Sequence, residues 1–430
     1  MPIARARRDP DGARGRAGRG PVPHSEVPGP PPRAVGLHPG SVGPDLALLT
    51  GAGNRALAGL VAVSRQVDVV AEEAPVQEAP RLDAAAVADA RRYYTSQPWL
   101  YTPAILTQLR EALGLAAAGG ADDALVLAVA DWQAADGAGD PALAVDGKAG
   151  PRTLPRIFAS GLNSDGEGEA FGEEVQTDVV DEWAALASPA ARRDRLVERV
   201  NARLAAAGVP AVTPAADASG VSAGAFDFPT WRMLIGDAAL GGASIAADAA
   251  RNVADTVYHE ARHAEQWFRM AQLRAGQGLT ARAIATELGI PARIAAAARA
   301  APLPRGTMPA VVAQGWWDSV YGARSEERGR VLTEATAAAA ARNAARAAFD
   351  ADPSEANRVA LEAAQARFDP AFEAYRNLPE ENDAWATAPA AGAGITRGSP
   401  APPTIDEAAG SPPAAGGGPA HGVLPEEDLP

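Results

Sequence analysis

Two histidines near the middle of this chain are spaced so that they could bind one metal ion. The 430 residues contain five histidines, and the two outside the Pro/Gly-rich ends lie in Tyr258-His259-Glu260-Ala261-Arg262-His263. On a helix, side chains four residues apart stack on one face, so both imidazoles can reach the same ion, and Glu260 can reach a water bound to it. Zinc lowers the pKa of such a water toward neutrality, so that Glu260 can take its proton. The spacing predicts a zinc-dependent hydrolase with His259 and His263 as ligands and Glu260 as the general base.

The residues around this motif favour a helix. The run 250–274 contains neither Pro nor Gly, and its apolar residues recur at three- and four-residue steps, which is typical of an amphipathic helix. Gly276 and Gly278 predict its end. The alternative is that His259 and His263 are hydrogen-bonded histidines without a metal.

A catalytic zinc site needs a third protein ligand, while its fourth position stays open for water. The chain has no cysteine, and its other three histidines fall in the two ends, so a carboxylate is expected. The candidate carboxylates downstream are Asp318, Glu373, Glu380, Glu381 and Asp383. The alternative is that the acidic residues after Pro379 only stabilise the start of a solvated helix.

One segment resembles a known pattern that includes such a ligand. It reads Tyr375-Arg-Asn-Leu-Pro-Glu-Glu-Asn-Asp-Ala384 and resembles the Y-x-x-x-P-x-E-x-(D/E)-A ending that accompanies H-E-x-x-H in several bacterial metallopeptidase-like and polymorphic-toxin families. The resemblance implies that Glu381 is the third ligand, in a zincin-like metallopeptidase domain over 173–388 that acts on a protein or peptide substrate. Glu381 follows His263 by 118 residues (381 − 263 = 118), so residues 276 to about 350 would be an insertion.

An aromatic and apolar frame accompanies these acidic residues. Tyr375, Leu378 and Trp385 surround charges that would otherwise be free to face water. Tyr375 is a candidate catalytic residue, because a phenol can polarise a substrate carbonyl, and packing in the core is the alternative role for it.

Residues 84–162 resemble a second known domain. Helices are expected over 101–114 and 122–135, and the second contains the pair Trp132-Gln133. The turn over 145–153, Val-Asp-Gly-Lys-Ala-Gly-Pro-Arg-Thr, suits a tight turn that opens a helix. The pair and the turn are similar to those of the peptidoglycan-binding-like domain, which implies a helical module with peptidoglycan as a partner. A docking or spacing unit is the alternative.

The fold class expected for the whole chain is mainly α (α+β). A Gly/Asp/Glu-rich linker is expected over 163–172, a helix over 178–207, and one or two strands over 225–236. Two long helices over 325–350 and 354–368 are expected to form a hairpin.

The two ends, 1–83 and 389–430, are expected to be disordered tails, because much of their sequence is rich in Pro and Gly and poor in periodic apolar residues. Residues 45–66 predict a short helical segment within the first tail. Its Ala52-Gly-Asn-Arg-Ala56 resembles the "aGNrAvaxLL" segment near the N-terminus of many proteins associated with extracellular contractile injection systems. The resemblance implies injection-system components as partners, and a small docking helix is the alternative. The rival to an enzyme is a non-enzymatic structural or cargo protein of such a system that retains a zincin-like scaffold.

Charge and composition exclude several classes of partner. The formal net charge of −14 argues against broad nucleic-acid or anionic-membrane binding, which needs a basic face. No apolar run reaches the length of a membrane span. The basic start lacks an apolar stretch, so a conventional secretory signal is not expected. We therefore expect synthesis in the cytoplasm and, if the protein is exported, export as injection-system cargo.

Overall fold

The computed structural model describes residues 82–136, 141–217 and 224–400. These residues belong to one compact unit. They are mainly helical with one small three-stranded sheet, which confirms the expected fold class. The helical segment expected at 45–66, nearly all of the first tail, and residues 401–430 lie outside the described residues.

The N-terminal module, residues 84–162, contains three longer helices, a structured turn and one short helix. The helices are α1 (Ala84–Thr95), α2 (Pro103–Ala112) and α3 (Asp123–Asp136), and a short α4 (Leu154–Ile157) follows the turn. Gln133 on α3 accepts hydrogen bonds from the backbone N–H groups of Asp146 and Gly147 and donates to the Lys148 carbonyl. Gly147 has φ of +69°, which glycine adopts without strain. The Gln133 side chain therefore holds the turn over 145–153.

The segment expected to be a linker, 163–172, is instead part of the packed structure. A 3-10 turn (Gly161–Asn163) precedes α5 (Glu167–Val175), which continues into a π-helical turn (Gln176–Val180). Phe171 is fully buried and stacks on Tyr258. A Cβ on Gly172 would lie 2.0 Å from the Ala391 carbonyl oxygen, so this glycine permits close packing. The linker prediction is wrong because glycine-rich composition does not distinguish a flexible segment from a closely packed helix.

The C-terminal tail predicted over 389–430 begins later in the structure than in the prediction. Residues 389–393 form a short helix, α15 (Pro389–Ala393), and Ile395 is buried. A Cβ on Gly392 would meet the Asp255 carboxylate at 2.5 Å, and the backbone N–H of Gly392 donates to that carboxylate. Small residues again serve close packing, so residues 389–400 belong to the folded body.

The region before the motif contains one helix and the sheet. Helix α6 (Pro189–Ala206) begins where Ser188 caps its first turn, so the single helix expected over 178–207 is interrupted there. The strands are β1 (Thr213–Ala216), β2 (Gly224–Asp227) and β3 (Arg232–Ile235), in the order β1-β3-β2, with β1 parallel and β2 antiparallel to β3. The expectation of one or two strands over 225–236 is confirmed by β2 and β3, whereas β1 was not predicted.

The motif lies on the longest helix of the described residues. After a short α7 (Asp237–Leu240), α8 (Ala247–Gly276) confirms the predicted helix and extends it at both ends. Three further helices, α9 (Ala281–Leu288), α10 (Ala292–Ala300) and α11 (Met308–Val320), pack against α8. Most of α8 is therefore buried on all sides, as expected for a central helix.

A long helical hairpin follows, as predicted. Its helices are α12 (Ser325–Ala351) and α13 (Glu355–Arg376), and α13 continues past the expected end through Pro370. The hairpin has its own apolar cluster, which includes Leu332, Phe368 and Tyr375. The chain then turns into α14 (Pro379–Thr387), which packs against α8.

Among the described residues, no helix is long and apolar enough to cross a membrane.

Candidate metal centre

Helix α8 places the two motif histidines side by side. The Nε2 atoms of His259 and His263 lie 3.1 Å apart, and the ring planes are nearly perpendicular. Both side chains are buried, at 9 % and 2 % exposure. The i, i+4 spacing therefore directs two potential ligand nitrogens at one point inside the protein.

Helix α14 brings Glu381 to the same point. Its Oε2 lies 3.4 Å from His263 Nε2 and 3.7 Å from His259 Nε2, and the residue is fully buried. Pro379 suits the first position of α14, so Glu381 lies in the first turn of the helix. The structure thus brings together the three residues named as ligands from the sequence.

The geometry of this group fits a tetrahedral zinc ion. Ligand atoms at 2.0–2.2 Å from zinc are separated from one another by roughly 3.3–3.6 Å in a tetrahedron. The three observed separations, 3.1, 3.4 and 3.7 Å, bracket that range. Glu381 Oε1 is also buried without a hydrogen-bond partner. Two imidazoles and one carboxylate form a donor set that leaves a fourth position for water.

The protonation pattern of His263 is set by its neighbour Gln266. Gln266 Nε2 donates to the Glu380 carbonyl and to Asp383 Oδ2, so its Oε1 must face His263 Nδ1, 2.8 Å away. Nδ1 therefore carries the proton, and the lone pair of the neutral ring lies on Nε2. A hydrogen bond of this kind orients a metal-binding histidine.

Two buried arginines explain why Glu381, and neither of its acidic neighbours, faces the histidines. Arg328 Nε lies 2.6 Å from Glu380 Oε1. Arg262 binds both oxygens of Asp383, at 2.8 and 3.2 Å. All five side chains are essentially inaccessible to water. Within the described part of the chain, Glu381 has no arginine at ion-pair distance, so it is the carboxylate left to neutralise a cation at the histidines.

The two more distant candidates lie outside this group. Asp318 accepts a hydrogen bond from Gln314, and Glu373 accepts one from Asn377. Neither belongs to the cluster of ligand atoms that lie within 4.8 Å of one another, which consists of His259, His263 and Glu381.

Glu260 connects the motif helix to the sheet. Its Oε2 accepts a hydrogen bond of 2.7 Å from the backbone N–H of Phe226 on β2, and the residue is 5 % exposed. Gly224 allows the close approach, since a Cβ there would lie 2.7 Å from Thr256 Cγ2. The candidate base is therefore held in place by an edge strand.

Tyr375 is part of the site, and its hydroxyl group contacts Glu381, the residue expected to be the third ligand. The hydroxyl donates a 2.6 Å hydrogen bond to Glu381 Oε2. Burial and the nearby Glu381 charge raise the pKa of Tyr375 well above its ordinary value, so the phenol keeps its proton. The Tyr375 hydroxyl therefore positions the Glu381 carboxylate. The catalytic role expected for Tyr375 from the sequence stays a prediction.

The charges of Glu381 and of the two histidines stabilise one another. Burial by itself lowers the pKa of His263, but the Glu381 carboxylate opposes it and raises that pKa to about 9. Burial raises the pKa of Glu381, yet His263 and His259 hold it well below the usual range. A proton on the histidine pair thus replaces the positive charge that a metal would supply.

Sequence reasoning missed three residues of the site: Gln266, Arg262 and Arg328. Gln266 follows His263 by three positions on the same helix, so the spacing H-E-x-x-H-x-x-Q could have identified it. Arg262 lies inside the motif and pairs with Glu265 one turn later on the same helix, but its partner Asp383 is set by a tertiary contact. Nothing in the local sequence distinguishes Arg328 from the exposed arginines of α12.

Comparison with known proteins provides no relative for this chain: no protein-family model, no curated protein and no solved structure matches it.

Proposed function

We propose that this protein is a zinc-dependent hydrolase that cleaves peptide bonds. The observation that carries the proposal is the set of three separations among His259 Nε2, His263 Nε2 and Glu381 Oε2, which agrees with three corners of a zinc tetrahedron. The H-E-x-x-H order adds a carboxylate, Glu260, on the same helix.

Each residue has a defined part in the proposed reaction. His259, His263 and Glu381 would hold zinc, and the chemistry gained with zinc bound is a polarised carbonyl and a water of lowered pKa. Glu260 Oε2 is occupied by the Phe226 N–H, whereas Oε1 accepts no hydrogen bond from the described residues. Glu260 Oε1 takes the proton of the attacking water and later delivers it to the leaving amine.

The choice of a peptide as the substrate rests on the resemblance of the H-E-x-x-H segment and of residues 375–384 to metallopeptidase-like families. Strand β2 contributes by holding the proposed base, because Phe226 directs its N–H to Glu260 and not to β3. Gly224, Ala225 and Phe226 are buried, so this edge of β2 is covered by the motif helix.

The N-terminal module supports the metal centre through direct contacts. Arg156 of the module donates to Asn382, and Asn163, one residue beyond the module, donates to Asp383, so both contacts reach the two residues that follow Glu381. We propose that the module both steadies α14 and provides the contact with peptidoglycan or with an injection machine. The resemblances described above are the support for these two partners and for export as cargo.

A second candidate function is a non-enzymatic structural or cargo protein built on the same scaffold. Burial favours it, since His259, Glu260, His263 and Glu381 are each at most 9 % exposed. This candidate predicts bound zinc without hydrolysis.

The test is zinc content and peptidase activity of the full chain. We expect about one zinc per protein and cleavage of an unstructured protein such as casein. Glu260→Gln should keep the zinc and lose at least about a hundredfold in activity, because only the base is removed. Glu169→Gln, at an exposed carboxylate on α5, is the matched control and should keep full activity. Absence of zinc, or unchanged zinc content in His263→Ala, would contradict the proposal; zinc without cleavage would favour the second candidate.

A further inference from the structure

A cleft of about 430 Å³ lies between the N-terminal module and the helical hairpin, and the metal ligands are not among its lining residues. The module lines it with the turn over 145–153, and the hairpin lines it with α12 and the end of α13. Lys148 and Arg152 project from the first side, and Arg324 and Asn377 from the second. Its volume falls in the range of small-ligand sites, about 300–1,000 Å³.

Arg152 is the cation of this cleft that lacks an anionic partner. Its guanidinium donates to the amide oxygen of Asn377, a neutral group, and among the described residues it forms no ion pair. Burial lowers the pKa of Arg152, which indicates that its charge is partly removed from water. A partly buried guanidinium gains most from a carboxylate, which can accept two of its N–H groups.

The other two cations of the cleft already have carboxylate partners, which disfavours a ligand with several negative charges. Lys148 pairs with Asp89 at 2.7 Å, and Arg324 pairs with Glu327 at 3.0 Å. When Asp89 is counted with the lining carboxylates of Asp146 and Glu327, the three cations face three carboxylates. Two carboxylates would repel a polyanion, but they can accept hydrogen bonds from amide N–H groups.

The remaining walls suit small apolar side chains. Leu143, Val331 and Leu378 contribute apolar surface beside the charged groups. A suitable ligand would offer one carboxylate to Arg152, amide N–H groups to the carboxylates of the lining, and short side chains to the apolar wall.

We propose that this cleft binds the C-terminal carboxylate of a short peptide, with Arg152 as the anchor. The proposal does not depend on zinc. It also places a ligand next to Asn377 and Leu378, the two residues that precede α14 and therefore Glu381.

The test compares two probes that differ only in the carboxylate. The full chain is titrated by ligand-observed NMR with N-acetyl-Ala-Ala and with its C-terminal amide, in the presence of a chelator so that the carboxylate cannot bind a metal. We expect the acid to bind at least about tenfold more tightly than the amide, because charge-assisted hydrogen bonds are the stronger ones.

Three variants locate the site. Arg152→Gln should abolish the preference for the acid, and Arg324→Gln should reduce it about two- to threefold, because that charge is more exposed and already paired. Arg282→Gln, at an exposed arginine on α9, is the matched control and should leave the preference unchanged. Thermal unfolding checks whether Arg152→Gln is folded. If this variant is unfolded, the preference of the wild type for the acid and its reduction in Arg324→Gln test the proposal. Equal binding of acid and amide by the wild type, or full preference in folded Arg152→Gln, would overturn the proposal.

Discussion

Gln266 Oε1 lies 2.8 Å from His263 Nδ1, and the amide nitrogen of the same side chain donates to the Glu380 carbonyl. One amide therefore joins the motif helix to the helix of Glu381, the proposed third ligand, across 114 residues of sequence. It orients the His263 ring and also fixes the position of the backbone next to Glu381. The consequences of this link can be measured.

Gln266→Leu should weaken zinc binding by about 10- to 100-fold, as is usual when the group that orients a ligand histidine is removed. The measurement is competition for zinc with a chromophoric chelator. Gln272→Leu is the matched control, because Gln272 is also buried on α8 but donates to the Ala301 carbonyl. We expect that control to lower the melting temperature and to keep the zinc affinity. Equal zinc affinity in the two variants would show that Gln266 has no role in orienting the ligand.

Substitution of the three neighbouring acidic residues should separate metal binding from stability. Glu381→Ala should lose zinc most strongly, because it removes a ligand. Glu380→Ala and Asp383→Ala should lose less zinc. Glu380→Ala leaves the buried Arg328 unpaired and should lower the free energy of unfolding by about 3–5 kcal/mol. Asp383→Ala should lower it by less, because Arg262 keeps its ion pair with Glu265. Zinc titration and denaturant unfolding of the same preparations provide both quantities. A greater loss of zinc in Asp383→Ala than in Glu381→Ala would assign the ligand differently.

The pair of Arg328 and Glu380 predicts a compensating double substitution. Either Arg328→Met or Glu380→Gln alone leaves one buried charge without its partner, which is strongly destabilising. The double variant removes both charges, so its loss of unfolding free energy should be smaller than the sum of the two single losses by about 1–3 kcal/mol. Denaturant unfolding of the four proteins measures this coupling. Simple additivity would show that the ion pair contributes nothing specific.

Zinc binding should depend on pH through His263. In the metal-free protein its pKa is raised to about 9, so the proton on this histidine competes with zinc below that pH. The apparent zinc affinity should therefore rise with pH until about 9, and binding should release a proton at neutral pH. Calorimetric titration in two buffers with different enthalpies of ionisation counts that proton. A heat of binding that is the same in both buffers would contradict the prediction.

The raised pKa of His263 should also affect the stability of the metal-free protein. Because the pKa of His263 is higher in the folded chain than its ordinary 6.5, its protonation stabilises the fold fully below about pH 6.5. This contribution is lost as the pH rises through about 9. Unfolding of the metal-free protein across that window should show the loss, and zinc-loaded protein should not show it, since the bound metal replaces the proton.

The sequence by itself determined the local part of the site. The four-residue step between His259 and His263 places both rings on one face of any helix, and the Pro-free, Gly-free run around them predicts that helix. The strands of 225–236 follow from alternation of apolar residues, and the long hairpin follows from its Ala/Arg/Glu-rich composition, because each element is defined by neighbours close in sequence.

Only the tertiary structure decided which acidic residue faces the histidines. Glu380, Glu381 and Asp383 lie within four positions of one another, and the choice among them depends on Arg328 and Arg262, which are 52 and 121 residues from their partners. The predicted linker and tail boundary failed for a related reason. Gly172 and Gly392 are glycines because another part of the chain lies against them, and contacts between distant segments leave no periodic signal in the local sequence.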